Sequence, residues 1–284
     1  MKRIFISISS YRDPDLINSI DDALIKAAIP ERIGFGVVFQ GERREFLEFL
    51  PKTSGKLVFL KHVPIEETKG TGWARNIITK DMLETEDYFL QIDSHTRFKK
   101  NWDVEIISFY ESLEEECMLS AYPPHFGLNE PYEVYSERNL NNRAIVEDFT
   151  EMYSFKNTKG RIPESAYEES ITAAGAFQFC TNKVAKTMTF EEYFNPWMDQ
   201  EISSCLVYMS GYNIYAPREA FLWHCYANNH VGSKEKWRPL VADDKTISDY
   251  DRYPFKTIEN WKRKRTFEDW KERVQQDINL KKDW

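Results

Sequence analysis

The sequence predicts an α/β fold: a mostly parallel sheet flanked by helices, made as a single domain with a C-terminal helical extension. Three observations predict it. Short β-rich apolar runs alternate with helical spacing from Arg3 to Tyr122. The chain has 284 residues, 42% hydrophobic and 15% aromatic, which is enough for one large core. No internal repeat or low-complexity linker interrupts it, so the expected division is only 1–253 for the main domain and 254–284 for the extension.

The elements follow in order. "RIFISIS" reads as a strand, "DLINSIDDALIKAA" as a helix and "IGFGVVFQ" as a second strand. "REFLEFL" is a short helix and "GKLVFLKHV" a third strand. "GTGWARNIITKDML" is a glycine turn opening a helix, followed by the strand "DYFLQID", the helix "NWDVEIISFYESLEEE" and the strand "CMLSAY". From Pro123 to Gly160 the chain is polar and rich in tyrosine and asparagine, which predicts loops bordering a site. "SITAAGAFQFCT" reads as a strand pair or turn, "WMDQEISSCLVYMSG" as a helix closed by Gly211, and "YNIYAP" and "AFLWHCY" as strands. "TFED" is a capping box for a last helix, with Thr266 at the N-cap and Asp269 reaching back.

Charge and composition narrow the function classes. A net charge of −8 argues against a nucleic-acid binder that relies on a broadly basic surface. The basic run "WKRKR" reads as a solvated helix face, although an anionic acceptor would also suit it. The opening "MKRIFISISSYRDP" is too short in apolar residues for a secretory signal, and no stretch approaches a membrane span, so a cytoplasmic protein is expected. Cys117, Cys180, Cys205 and Cys225 sit singly in apolar contexts and are expected to be reduced core thiols.

In a parallel sheet, ligands bind beyond the carboxyl ends of the strands, so polar residues at those exits matter. The first strand exits into "SSYRDP", where Asp13-Pro14 reads as a helix N-cap and leaves Tyr11 and Arg12 without a structural role. The second exits at Gln40, which suits either a turn or a hydrogen bond to a base edge. In "KGTGWARN", Gly70 and Gly72 permit close backbone approach, the helix that follows offers N–H groups, and Arg75 adds a fork suited to phosphate oxygens. The segment lacks the third glycine of a dinucleotide fingerprint and the GK[ST] of a P-loop, and an ordinary glycine turn reads the same way. In "LQIDSHTRF", Asp93 and His95 fall on one side of the strand while Ser94 points away. A carboxylate and an imidazole so placed can hold a divalent metal, with manganese better suited than calcium, or can be a capping acid and a solvent-facing histidine. His224, at the end of another apolar run, is the third candidate ligand.

Taken together, "ISISSYRDPDLINSIDDALIKAAIPERIGFGVVFQ", "GTGWARN", "QIDSHTRFKKNWD", "GYNIYAP" and "WHCY" resemble the GT-A-fold glycosyltransferases related to the cytoplasmic enzymes that attach N-acetylglucosamine to hydroxyproline. The resemblance implies a Rossmann-like GT-A domain, a UDP-sugar donor and a protein or glycan hydroxyl as acceptor. It implies Mn2+ (or Mg2+) held by the DxD-like "DSH" through Asp93 and His95, with His224 as the late ligand. It places Ser9, Tyr11, Arg12, Gln40, Gly72, Arg75, Asp93 and Ser94 around the donor, and it implies retention at the anomeric carbon. The chain departs from the family where two adjacent acids are expected, since "MDQEIS" has Gln200 between Asp199 and Glu201. Residues two apart on a helix do not share a face, so Glu201 is favoured over Asp199 as the group near the acceptor hydroxyl or sugar. Glycoside hydrolysis, which also uses two carboxylates, and non-catalytic nucleotide-sugar binding are the alternatives. Hydrolysis would leave the glycine turn, Arg75 and "DSH" surplus, and the complete set of candidate ligands argues against a protein that only binds.

Overall fold

Ile4, Ile6 and Ile8 are buried against one layer of helices and Phe5 against another, because side chains alternate across a strand. That strand, β1 (Ile4–Tyr11), lies inside an eight-stranded sheet covered on both faces. The computed structural model describes residues 1–149, 155, 156, 158–189, 199–226, 255, 261 and 263–279. After β1 come α1 (Leu16–Lys26), β2 (Ile33–Gln40), α2 (Arg43–Phe49), β3 (Val58–Val63), α3 (Thr71–Asp81) and β4 (Tyr88–Asp93). A short strand β5 (Thr96–Phe98), α4 (Trp102–Glu111) and β6 (Cys117–Ser120) follow.

The sheet order is β3-β2-β1-β4, then β12 (Phe177–Thr181), β6, β13 (Asn213–Pro217) and β11 (Tyr167–Ser170). The β3-β2-β1-β4 ladders and the β6-β13 ladder are parallel, while β12 runs antiparallel to both neighbours and β11 antiparallel to β13. The sheet is therefore mixed but mostly parallel, as in many large α/β folds. Helices α1, α2 and α4 cover the face of Ile4, Ile6 and Ile8, while α3 and α7 (Asp199–Met209) cover the face of Phe5. The other side of α7 buries Ile202, Cys205, Leu206 and Met209 against Phe255 and the C-terminal helix Phe267–Asn279. Thr266 and Asp269 form the expected reciprocal cap of that helix: the Asp269 N–H donates to Thr266 Oγ1 at 3.1 Å, and the Thr266 N–H to Asp269 Oδ2 at 2.6 Å.

Some sequence expectations need correction. Residues 123–160 are not loops throughout. They hold a one-turn helix at Tyr132–Tyr135 and short strands at Arg143–Ile145, Asp148–Phe149, Phe155–Lys156 and Lys159–Arg161, too brief for any periodicity to announce them. The run after Asp93 does not pass directly to a helix, since β5 pairs with β14 (Leu222–His224). The start of the "WMDQEISSCLVYMSG" helix at 197–198 and the boundary at 253/254 lie outside the described residues. Gly211 does close α7, with φ +89° in the left-handed region. All four cysteines are buried and outside any disulfide, and burial pushes the Cys117 thiol up to about 12. Among the described residues, no helix is long and apolar enough to cross a membrane.

Candidate active site

Strand register lines up the polar exits. In the parallel ladders Ser9 lies across from Asp93 and Tyr11 across from Gln40, so residues distant in sequence share one edge of the sheet. The "DSH" turn is held on α1: Ser19 Oγ donates to the Ser94 carbonyl and accepts the Thr96 N–H, both at 2.8 Å. A bidentate Arg97–Asp15 pair, at 2.8 Å on each arm, fixes β5 beside the start of α1.

That turn and the β5–β14 pairing bring three candidate ligands together. Ligand atoms of Asp93, His95 and His224 all lie within 4.8 Å of one another. The two imidazole rings stand 4.8 Å apart, and His224 Nε2 is 3.0 Å from Asp93 Oδ2. Among the described residues, the buried Nδ1 of His224 has no hydrogen-bond partner, and the buried Nε2 has only its unaligned contact with Asp93. A buried polar group left in this state costs free energy, and a cation between imidazole and carboxylate would remove the cost. The donor set of one oxygen and two nitrogens fits a divalent transition ion.

The electrostatics agree with such a centre. Burial opposes ionisation of Asp93, but the Arg75 guanidinium and the nearby His224 hold its carboxyl well below the usual carboxylate range. Burial pushes the His224 imidazole below its ordinary value, outweighing the pull of Asp93. His95 moves the other way: burial disfavours its charge, yet the Asp13 carboxylate and Asp93 raise it.

Arg75 sits at the centre, 7% exposed. One arm of its fork donates to Asp199, the other to Asp93 at 2.5 Å and to the Gly175 carbonyl at 2.9 Å. Gly175 is required here, because a Cβ would stand 2.6 Å from the guanidinium. The helix that carries Arg75 starts from Gly70 at φ +93°, a left-handed conformation that suits glycine, with Gly72 buried in its first turn. A polar pocket under Arg75, lined by Gly72, Asn76, Thr79, Gln91 and Ser203, measures about 20 Å³, room for one water and not for a sugar.

The remaining predicted residues divide. Gln40 donates to Ser9 Oγ at 3.3 Å and accepts from Thr68, while the Tyr11 hydroxyl is buried with no hydrogen-bond partner among the described residues. Arg12, expected at the donor, is committed to Glu45, its Nε 3.0 and 3.1 Å from the two carboxylate oxygens. Ser94, expected there too, is buried and donates to Asp13 Oδ2 at 2.7 Å. Asp199 and Glu201 point apart. Asp199 joins Arg75 on the Asp93 side, whereas Glu201 is 5% exposed and accepts the Phe155 N–H at 3.0 Å.

Two residues were not singled out from sequence as part of the site. Asp15 holds the N-cap position of α1 without a side-chain cap bond; Asp13 Oδ1 accepts the Asp15 N–H at 2.8 Å just before the helix, as a capping acid would, and Asp13 Oδ2 also meets His95 Nδ1 at 2.6 Å. Its proximity to Pro14 reads as a helix start, which hid the contact. Tyr226 sets its ring edge-on to His224 at 4.3 Å and donates from its hydroxyl to the Pro123 carbonyl at 2.9 Å. Its place directly after "WHC" was the available signal.

The sequence profile of the glycosyltransferase (GlcNAc) family matches residues 41–276. No curated protein is significantly similar in sequence. Among solved structures, S. aureus TarS (residues 1–349) in complex with UDP-GlcNAc superposes with a TM-score of 0.60 at 13% identity, over 97% of this chain and 70% of that one. GalNAc-T7 with UDP, GalNAc and Mn2+ superposes with a TM-score of 0.65 at 12% identity, over 95% of this chain and 50% of that one. This chain spans 60% of a second TarS 1–349 structure and 43% of the longer TarS chain. At these identities the likeness is one of fold. The profile match covers most of the chain and sets aside the hydrolase alternative. The chain belongs to the GlcNAc glycosyltransferase family and has the GT-A fold.

Proposed function

We propose that the protein transfers N-acetylglucosamine from UDP-GlcNAc to a hydroxyl of a protein or glycan, in a reaction dependent on a divalent cation. The observation that carries this reading is the convergence of Asp93, His95 and His224 beside buried Arg75, at the edge where the parallel strands end. Three supports come from outside the site: the family's GlcNAc name, the UDP-GlcNAc bound by TarS, and the UDP and Mn2+ bound by GalNAc-T7. Asp93, His95 and His224 would hold Mn2+ or Mg2+, which when bound supplies Lewis acidity to the leaving diphosphate.

The chain's own residues do the rest. Arg75 is a fixed guanidinium whose arms hold Asp93, Asp199 and the Gly175 carbonyl, so it would act on the diphosphate as a preorganised positive charge behind these acids. Ser9, Tyr11 and Gln40 line the nucleoside side, and Gly72 lets the backbone approach the phosphates. Arg12 and Ser94 act behind them, through Glu45 and Asp13. Of the two acids on α7, Asp199 is the better placed to orient the acceptor, since it shares Arg75 with Asp93. Glu201 anchors the backbone at Phe155. With retention, the departing phosphate oxygen receives the acceptor proton on the same face of the sugar, so no protein base is needed. A cytoplasmic, hydroxyproline-type acceptor is the finer form of this proposal, carried by the resemblance in "SYRDP", "WARN" and "DSH".

The test is UDP release from UDP-GlcNAc. Release that requires Mn2+ or Mg2+ and stops with chelator is the expected result. Release unaffected by chelator would overturn the cation's role, and no binding of UDP or UDP-GlcNAc by calorimetry would overturn the donor assignment.

A further inference from the structure

We infer that Asp13 is a positioning residue for cation binding: it grips His95 through Nδ1 and commits the ring to the tautomer in which Nε2 carries the ligating lone pair. The inference rests on the cation site proposed above and deepens it. Asp13 is no surface acid, with a side chain only 7% exposed. Donors converge on its carboxylate. His95 Nδ1 stands 2.6 Å from Oδ2, Ser94 Oγ donates to the same oxygen at 2.7 Å, and the Asp15 N–H donates to Oδ1 at 2.8 Å. An ionised carboxylate has no proton to give, so the hydrogen in the short contact must sit on His95 Nδ1. In a neutral ring the lone pair then belongs to Nε2, and ligand histidines are held this way in many metal sites.

The chain is bent to deliver that carboxylate. Arg12 is one of three non-glycine residues with positive φ among the described residues, at +50°. A side chain in that region is sterically disfavoured and persists only where its surroundings hold it. Its N–H donates to the Gln40 carbonyl at 2.9 Å and its fork grips Glu45, so both backbone and side chain are fixed. The turn leaves Asp13 facing the "DSH" segment, and α1 begins only at Leu16. Strand β1 would thus contribute to the cation site without supplying a ligand.

A purely structural Asp13 would change stability alone, so the test reads the tautomer. The full chain, labelled with 15N-histidine and free of added metal, is studied at alkaline pH by long-range 1H–15N correlation, with His95→Gln assigning the signals. In the wild type His95 should show Nδ1–H. Asp13→Ala should shift the ring toward the Nε2–H form and weaken Mn2+ binding, titrated by EPR with UDP present, by about 10- to 100-fold. Asp13→Asn, which keeps an acceptor oxygen and loses the charge, should weaken it less. Ser94→Ala should leave the tautomer in place. A folded Asp13→Ala protein with the wild-type tautomer and Mn2+ affinity would overturn the inference. If that variant does not fold, unchanged Mn2+ affinity in Asp13→Asn overturns it instead. A wild type with no affinity for Mn2+ would bring down the cation site itself, whereas loss confined to the Asp13 variants supports the inference.

Discussion

From β3 to β4 the sheet is made of the first four strands of the chain, each joined to the next in sequence through a helical crossover and all running the same way, with β4 placed beside β1. From β12 to β11 it is made of strands drawn from distant parts of the chain, with β12 reversed between β4 and β6. The parallel half sends every strand end to one edge. Ser9, Tyr11, Gln40 and Asp93 arrive there through topology alone. The mixed half must bring its groups singly: Gly175 from the turn before β12, Asp199 from the first turn of α7, and His224 from β14. Under the proposed function, the parallel half would be the platform for the nucleotide and the groups brought from elsewhere would complete the chemistry. Asp93 and Arg75 are where the two halves meet.

The largest expected effect comes from breaking that meeting point. Asp93→Ala should lower turnover by about 10³-fold or more, roughly 4 kcal/mol of transition-state stabilisation, and abolish Mn2+ binding measured by EPR. Wild-type Mn2+ affinity in this variant would remove Asp93 from the ligand set. His224→Ala takes away only the mixed half's ligand, so its loss of turnover should be smaller, about 10²-fold, and partly restored by raised Mn2+. Lost thermal stability with no response to metal would make His224 a packing residue beside Tyr226.

Stability should separate the regions in a different way. Trp270 is fully buried in a three-ring cluster with Phe255 and Phe267, its ring centroid 5.6 and 5.5 Å from theirs, in the core between α7 and the C-terminal helix. Trp270→Ala should cost about 3 to 5 kcal/mol in denaturant unfolding while leaving UDP affinity intact. A matching drop in UDP affinity would show that the platform depends on the C-terminal helix.

Arg75→Lys keeps the charge and loses the fork. UDP affinity should fall by about 10-fold, with uridine affinity nearly unchanged, because a single ammonium cannot hold Asp93, Asp199 and the Gly175 carbonyl together beside the diphosphate. Equal losses for the two ligands would place Arg75 at the base or ribose instead. The smallest effect belongs to Thr266→Ala, which removes one side of the C-terminal cap and should lower stability by about 1 kcal/mol without altering activity.

What the sequence by itself determined is local and periodic: which runs are strands, which are helices, and where Gly70 opens a helix and Gly211 closes one. These follow from interactions a few residues long, which the chain carries wherever it folds. Strand alternation does not hold past Asp93, since β4 ends there and Ser94 and His95 both reach Asp13 Oδ2 from the turn. Only the tertiary structure decided the long-range pairings. The reversal of β12 depends on which strand edge is open when β4 and β6 pack, and no residue between Ser170 and Thr181 specifies it. The β5–β14 ladder, which carries His224 to the "DSH" turn, joins segments on opposite sides of most of the fold in sequence. The two acids of α7 illustrate the limit in one helix. Their spacing shows that Asp199 and Glu201 face apart, but the partner each one meets, Arg75 or the Phe155 N–H, is set by what packs against the two faces. Asp13 is only half legible for the same reason: its place before Pro14 announces the turn into α1, where Oδ1 accepts the Asp15 N–H, but not the contact of Oδ2 with His95. A carboxylate's role is fixed by the donors that reach it, and His95 and Ser94 reach Asp13 only once β1 and β4 lie side by side.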